Sequence, residues 1–278
     1  MKISFRTRTP GEQIPTRMDL FSFIDELEKT ARGLQEFVID DDDLILRPAL
    51  QLIAAAEKLD ASWSKGWLGY HACVYYNRFA KPPAGARFST QWGFHDIPIG
   101  GTHGDWKVYD FDAVVQKINS DAGNPDLTEL KALAEASAIE FNRVKGEAVS
   151  IVEIVQADLH DEHLGRIIEN LKAFELPPSR AYLTMRSPTE FMTQDPQVSH
   201  SVEPPPHLFV QSEVADIIGR IHSCQGLLKI IGKAVSHLKR IGRTKRRNAM
   251  ESGVSVFIGH GRSAVWRERS CSPCMELV

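Results

Sequence analysis

The sequence predicts a mainly α-helical protein with a small aromatic module that contains β-structure, followed by the first strand and turn of an α/β unit. Three observations support this prediction. Apolar residues recur at helical spacing through most of residues 1–242. Four of the five tryptophans and four of the five tyrosines lie between residues 62 and 110, among many glycines and prolines. A short run of β-branched and aromatic residues begins at Val254.

Composition limits the classes of protein that this chain can represent. Its 278 residues, 42% of them hydrophobic, can fill the core of one large domain or of two ordinary ones. The net charge of −3 argues against a nucleic-acid-binding surface over the whole protein, so a basic patch must be local. Neither a signal peptide nor a run of about 18 apolar residues is visible, which predicts a cytoplasmic protein with no membrane partner. Cys73 and Cys224 are expected to be free buried thiols.

Two amphipathic helices are predicted first. The first covers about residues 20–38. The second starts close to Arg47, because Pro48 is tolerated only in the first turn of a helix. Its core-facing side is predicted to carry Leu50, Ile53, Ala54 and Leu59.

The aromatic module follows. The stretch LGYHACVYY, residues 68–76, is predicted to be a strand between loops rich in glycine and proline. A small core is the favoured role of its aromatic cluster, and stacking on a base or nucleotide is the alternative. The cluster comprises Trp63, Trp67, Tyr70, Tyr75, Tyr76 and Trp92. A glycine-rich loop is interpreted as structural, with a metal or hydrolytic site as the alternative, and it carries His95, Asp96, His103 and Asp105.

Helical patterns resume after residue 109 and continue to the Pro177-Pro178 pair. In this region His160, Asp161 and His163 could contribute to a metal site, although a solvated helix face is favoured. A long proline-rich connection then leads to a helix predicted over residues 207–241.

A basic linker is predicted over residues 243–253, with a domain boundary at the same place. The basic run KRIGRTKRR surrounds its start and comprises Lys239, Arg240, Arg243, Lys245, Arg246 and Arg247. A solvated linker is the favoured interpretation, and contact with nucleic acid or with an acidic partner is the alternative.

Residues 254–278 open with VSVFIG, which is typical of a buried parallel strand, and GHGRS follows. Gly259 and Gly261 permit a tight turn, Arg262 offers a planar donor to an anion, and Ser263 can cap a helix. A strand, turn and helix without a ligand would have a similar sequence. The tail adds a Cys271-x-x-Cys274 pair, interpreted as accidental, with half of a zinc site or a redox pair as the alternative.

The stretch VFIGHGRSAVWRE, residues 256–268, resembles the opening of the TIR-like domain of bacterial predicted nucleotide-binding proteins, in which His260-Gly261 after the strand is the recurring element. The resemblance implies a flavodoxin-like α/β domain of the bacterial defence type that binds a nucleotide and cleaves NAD. It also implies homo-oligomers in intact relatives. The nucleotide-facing residues it implies here are Gly259, His260, Gly261, Arg262 and Ser263.

The family's catalytic glutamate lies several elements beyond this turn, so the resemblance assigns no catalytic residue here. The 25 residues from Val254 to Val278 are fewer than a domain needs, which predicts a truncated TIR-like start without NAD cleavage. No cofactor is expected to be required, and NAD or another nucleotide is the expected ligand. Residues 1–242 are then a helical sensor or interaction domain. The alternative is a stand-alone helical module that binds protein or nucleic acid without enzymatic activity.

Overall fold

The computed structural model describes residues 19–252. These residues form seven helices and one small antiparallel sheet, so the prediction of a mainly helical chain with a small β-containing module is confirmed for this part. None of the described helices is both long enough and apolar enough to span a membrane.

The first two helices start where capping chemistry predicts. Helix α1 covers Leu20–Gln35, and the Asp19 carboxylate caps it by accepting a hydrogen bond from the Phe21 N–H at 3.1 Å. Helix α2 covers Arg47–Asp60 with a proline in its first turn, which confirms the predicted start.

The predicted buried face of α2 is wrong in part. Leu50 is 46% exposed and Ala54 is exposed, whereas the buried side chains are those of Ala49, Leu52, Ala55, Ala56 and Leu59. The three alanines explain the difference, because small side chains let α2 approach its neighbours closely.

The aromatic module contains less strand than predicted. A 3₁₀ turn covers Gly69–Cys73, and only Val74–Tyr76 form strand β1. Strand β2, Trp106–Val108, pairs with it in antiparallel register, with Tyr75 opposite Lys107. The proline-rich connection packs back onto this module, since the Gln194 N–H donates to the Gln91 carbonyl oxygen at 2.8 Å.

Helices α3 to α7 build the rest of the described chain. They cover Phe111–Asp121, Thr128–Leu159, Glu162–Ala173, Ala181–Arg186 and Pro206–Ser252. Helix α7 packs against all six other helices and is the central element of the fold.

Helix α7 is longer than predicted. Residues 243–252 are helical, so the helix does not end near residue 241 as the sequence predicts. Two contacts with α1 hold this end: α7 approaches the Phe21 ring closely at Gly242, and the Arg246 guanidinium lies 4.1 Å from the centroid of that ring. The lysines and arginines that suggested a linker are therefore part of the helix. The domain boundary proposed at this place stays a prediction.

Two hydrophobic cores lie along α7. The first joins α1, α4 and α5 to the second half of α7 around Phe141 and Leu227. The second joins α2, α3, Trp63 and Tyr75 to the first half of α7 around Val214 and Ile221. The two halves of α7 thus contribute to different cores.

Both Cys73 and Cys224 are free thiols, but only Cys224 is fully buried.

Candidate functional site

The residues that the sequence nominated for nucleotide binding lie outside the described residues. These are Gly259, His260, Gly261, Arg262 and Ser263, and the same holds for Cys271 and Cys274. Their roles stay predictions, and the site described below is built from residues 19–252.

A groove of about 1000 Å³ lies between α5 and the second half of α7. Its lining is rich in basic and polar side chains and includes one buried apolar residue. The lining residues are His163, Arg166, Ile167, Asn170, Lys229, Gly232, Lys233, Ser236 and Arg240.

Helical periodicity places these side chains together. On α7, Lys229, Lys233, Ser236 and Arg240 follow one another at spacings of four, three and four residues, so they share one face. One face of α5 also lines the groove, with residues at spacings of three, one and three: His163, Arg166, Ile167 and Asn170. A second face of α5, with Leu164, Ile168 and Leu171, is buried in the first core. Burial of one face of α5 therefore orients the other towards the groove.

Asp161 fixes the start of α5 next to α7. One carboxylate oxygen accepts the Leu164 N–H at 2.9 Å, which caps the helix, and the other lies 3.1 Å from Nε2 of His237 on α7. Burial by itself would raise the pKa of Asp161, but the hydrogen bonds from Leu164 and His237 outweigh it and lower that pKa. The carboxylate thus stays ionised and already has partners.

The positive charge of the groove is not neutralised by side chains of the part of the protein that the structure describes. Within residues 19–252, Arg166, Lys229, Lys233 and Arg240 form no ion pair, and no acidic side chain lines the groove. Other basic residues on the same helices are paired: Lys172 binds Glu153 at 2.6 Å. Four cations facing one cavity favour an anionic ligand.

The three residues considered for a metal site have separate roles. His160 ends α4 with a left-handed backbone conformation, Asp161 caps α5, and His163 lines the groove with its ring 4.4 Å from that of His237. Among the described residues, no group of three or more His, Cys, Asp or Glu side chains is arranged to hold a metal ion.

The basic run near residue 240 is also divided. Arg240 lines the groove, Lys239 pairs with Glu28 on α1, and Arg246 lies over Phe21. Only Arg240 of this run contributes to the groove lining. Arg240, Arg243, Lys245, Arg246 and Arg247 are exposed, in agreement with the expected solvation, and Lys239 is half-buried.

The aromatic cluster is a small core at its centre, as predicted. Trp63 and Tyr75 are 5% and 0% exposed and belong to the second core, and Trp67 packs against them. The four loop residues do not converge. The backbone of His103 pairs with that of Arg87, and Asp105 binds Asn77 and Lys107. Nε2 of His95 instead lies 3.2 Å from the carboxylate of Asp195, a residue that no sequence pattern marked as part of a site.

A second histidine network was also missed. His207 is fully buried, with Nδ1 2.9 Å from the Tyr75 hydroxyl and Nε2 3.1 Å from Asp60. Burial lowers the pKa of His207, whereas the hydrogen bonds from His207 and Lys65 lower that of Asp60. No local pattern could reveal this network, because His207 lies 132 and 147 residues from its two partners.

The groove has the chemistry of a binding site. Its cations can donate charge-assisted hydrogen bonds to phosphate or carboxylate oxygens, Asn170 and Ser236 add neutral donors, and Ile167 adds an apolar contact. Comparison of the chain with family models, with curated proteins and with solved structures found no match.

Proposed function

We propose that the helical part of this chain binds a phosphate-bearing nucleotide in the groove between α5 and α7. In this proposal the helical part is the sensor, and the segment after residue 253 is the opening of a TIR-like nucleotide-binding domain. The observation that carries the binding proposal is a set of four cations around one cavity that form no ion pair with the described residues 19–252: Arg166, Lys229, Lys233 and Arg240.

The size and charge of the groove favour a nucleotide with more than one phosphate. A volume of about 1000 Å³ lies at the upper end of the range for small-molecule sites and exceeds what inorganic phosphate fills. Four cations match the charge of a di- or triphosphate better than that of a monophosphate. Asn170 and Ser236 offer neutral hydrogen-bonding groups to a sugar or a base.

The sensor role rests on the position of the groove along α7. The groove uses residues 229–240 of this helix, and the helix continues without a break to Ser252. The TIR-like resemblance begins at Val256, a few residues further along the chain. A ligand that fixes α5 against α7 can therefore alter the position of the segment that follows.

Titration of the full chain with ATP, ADP, NAD and inorganic phosphate tests the proposal. We expect a nucleotide to bind more tightly than phosphate alone. The double substitution Lys229→Gln with Lys233→Gln should weaken nucleotide binding about 10-fold to 1000-fold, because it removes two charge-assisted interactions. Lys58→Gln is the matched control, since Lys58 is exposed on α2 and does not line the groove.

The proposal fails if no nucleotide binds, or if the control weakens binding as much as the double variant does. A helical module that binds nucleic acid is the second candidate, because the groove is followed on α7 by the exposed residues Arg243 and Lys245. That function is identified by tighter binding of single-stranded RNA than of nucleotides, with an affinity that decreases steeply with salt.

A further inference from the structure

The proline-rich connection carries a buried carboxylate that faces the aromatic module, and four donors converge on it. The Asp195 side chain has no exposed surface. It accepts hydrogen bonds from the Tyr70 hydroxyl at 2.5 Å and from the Gln197 N–H at 2.9 Å, and it lies 2.9 Å from Nε2 of His71 and 3.2 Å from Nε2 of His95. An ionised carboxylate only accepts hydrogen bonds, so Nε2 of His71 must carry the hydrogen.

This contact fixes the tautomer of His71. With the hydrogen on Nε2, the other ring nitrogen, Nδ1, keeps its lone pair in the neutral ring and can accept a hydrogen bond. Burial lowers the pKa of His71 although Asp195 opposes this effect, so the neutral ring is favoured near pH 7. Nδ1 has no hydrogen-bond partner within residues 19–252.

The His71 side chain is 1% exposed, and His71 is one of the residues that line a cleft of about 180 Å³ between the module and the start of the proline-rich connection. The walls combine aromatic and other apolar side chains with a few polar ones. They are formed by Lys65, Trp67, Leu68, Thr90, Pro188, Glu190, Phe191 and Met192. This volume suits a single ring system rather than a complete nucleotide.

We propose that this cleft binds a planar nitrogen heterocycle of nucleobase size, with an N–H of the ligand donating to Nδ1 of His71 and its ring contacting Trp67 and Phe191. Asp195 is the positioning residue of this site, because it holds the His71 ring in the accepting tautomer. The cleft is distinct from the groove between α5 and α7, and the two proposals rest on different residues.

A pair of probes separates hydrogen bonding from simple burial. Benzimidazole has a ring N–H, and 1-methylbenzimidazole lacks it. Saturation-transfer NMR on the full chain should detect adenine and benzimidazole, with 1-methylbenzimidazole at least about tenfold weaker, the effect of one lost buried hydrogen bond. Equal binding of the two benzimidazoles, or no binding of any heterocycle, overturns the proposal.

His71→Leu removes the accepting nitrogen together with the donor to Asp195, and leucine offers no other acceptor. This variant should bind benzimidazole at least about tenfold more weakly. His95→Leu is the matched control, because it also removes a donor to Asp195 but does not change the lining of the cleft, and it should bind as the parent does. Equal losses in the two variants would show that the effect is structural.

A third test uses the parent chain, so its result does not depend on whether a variant folds. The ¹⁵N shifts of the His71 ring should report a neutral ring protonated at Nε2, and saturation with benzimidazole should shift the Nδ1 resonance. A ring protonated at Nδ1, or an Nδ1 resonance unaffected by saturating ligand, contradicts the proposed site.

Discussion

At the scale of single residues, Asp195 is a buried position with four hydrogen-bond partners. Its carboxylate contacts Tyr70 and His71 in one distant segment, His95 in another, and the backbone of the nearby Gln197. A buried ionised group is tolerated only when its hydrogen-bonding capacity is satisfied. This cluster therefore ties the proline-rich connection to the aromatic module.

Gly93 makes the close packing around Asp195 testable. Its backbone has φ of +58°, and a β-carbon there would collide with the Asp195 carboxylate and the Tyr70 hydroxyl. Gly100 in the same loop also has positive φ, +95°, but open space around it. Both Gly→Ala variants carry about 1–3 kcal/mol of backbone strain, and Gly93→Ala should lose a further 1–3 kcal/mol or so from the collision. Equal midpoints in urea denaturation would contradict this packing.

Asp195 should also make the stability of the folded chain depend on pH in the acid range. Burial alone would raise the pKa of Asp195, but hydrogen bonds from Tyr70, Gln197 and His71 lower it from 3.8 to about 2. A lowered folded-state pKa stabilises the protein above the unfolded value, and this stability is lost as the pH falls from about 4 through about 2. The contribution at neutral pH is about 2 kcal/mol.

The comparison of the parent chain with Asp195→Asn isolates this effect. Denaturation at several pH values between 2 and 7 should show the variant less stable at pH 7 and less sensitive to acid between pH 4 and 2. Parallel pH profiles of the two proteins would show that Asp195 does not titrate as described.

At the scale of elements, helix α7 shows where sequence patterns suffice and where they do not. Its apolar repeat predicts the helix up to residue 241, and burial of Ile231 and Leu238 agrees with that repeat. Its last ten residues have no apolar repeat and were predicted as a linker. The contacts that hold them come from α1, more than 200 residues earlier in the chain.

Phe21 is the residue of α1 that should stabilise the C-terminal end of α7. Phe21→Ala removes the ring under Arg246 and the contact at Gly242, a loss of about 1–2 kcal/mol that should speed local amide exchange in residues 243–248 about tenfold. Phe23→Ala is the control, because Phe23 packs on the first core from the same helix. If exchange in residues 243–248 is equally fast in both variants and in the parent, α1 does not stabilise the end of α7.

Local signals therefore predicted most of the helices but did not indicate the groove or the cluster around Asp195. Pro48 marked the start of α2, but the face of that helix was misassigned because Leu50 is the more hydrophobic residue and Ala49 is the buried one. In the groove, the sequence drew attention to His163 and Arg240 but gave no reason to pair them. The sequence did not single out Lys229 or Lys233, and their position next to α5 depends on tertiary packing.

At the scale of the whole molecule, α7 connects two cores that carry different sites. The basic groove adjoins the first core, and the cleft beside His71 belongs to the aromatic module that packs on the second. Substitutions in one site should leave binding at the other unchanged, because distant sites without shared contacts behave additively.

The most direct test of the groove as a nucleotide site is photo-crosslinking of the full chain with 8-azido-ATP, followed by mapping of the labelled peptides. If the groove binds a nucleotide, the labelled peptides should lie within residues 163–170 or 229–240. Excess unlabelled ATP should abolish this labelling, and the Lys229→Gln, Lys233→Gln double variant should strongly reduce it. Labelling that maps only outside these two segments, or that excess ATP does not displace, would contradict a nucleotide site in the groove.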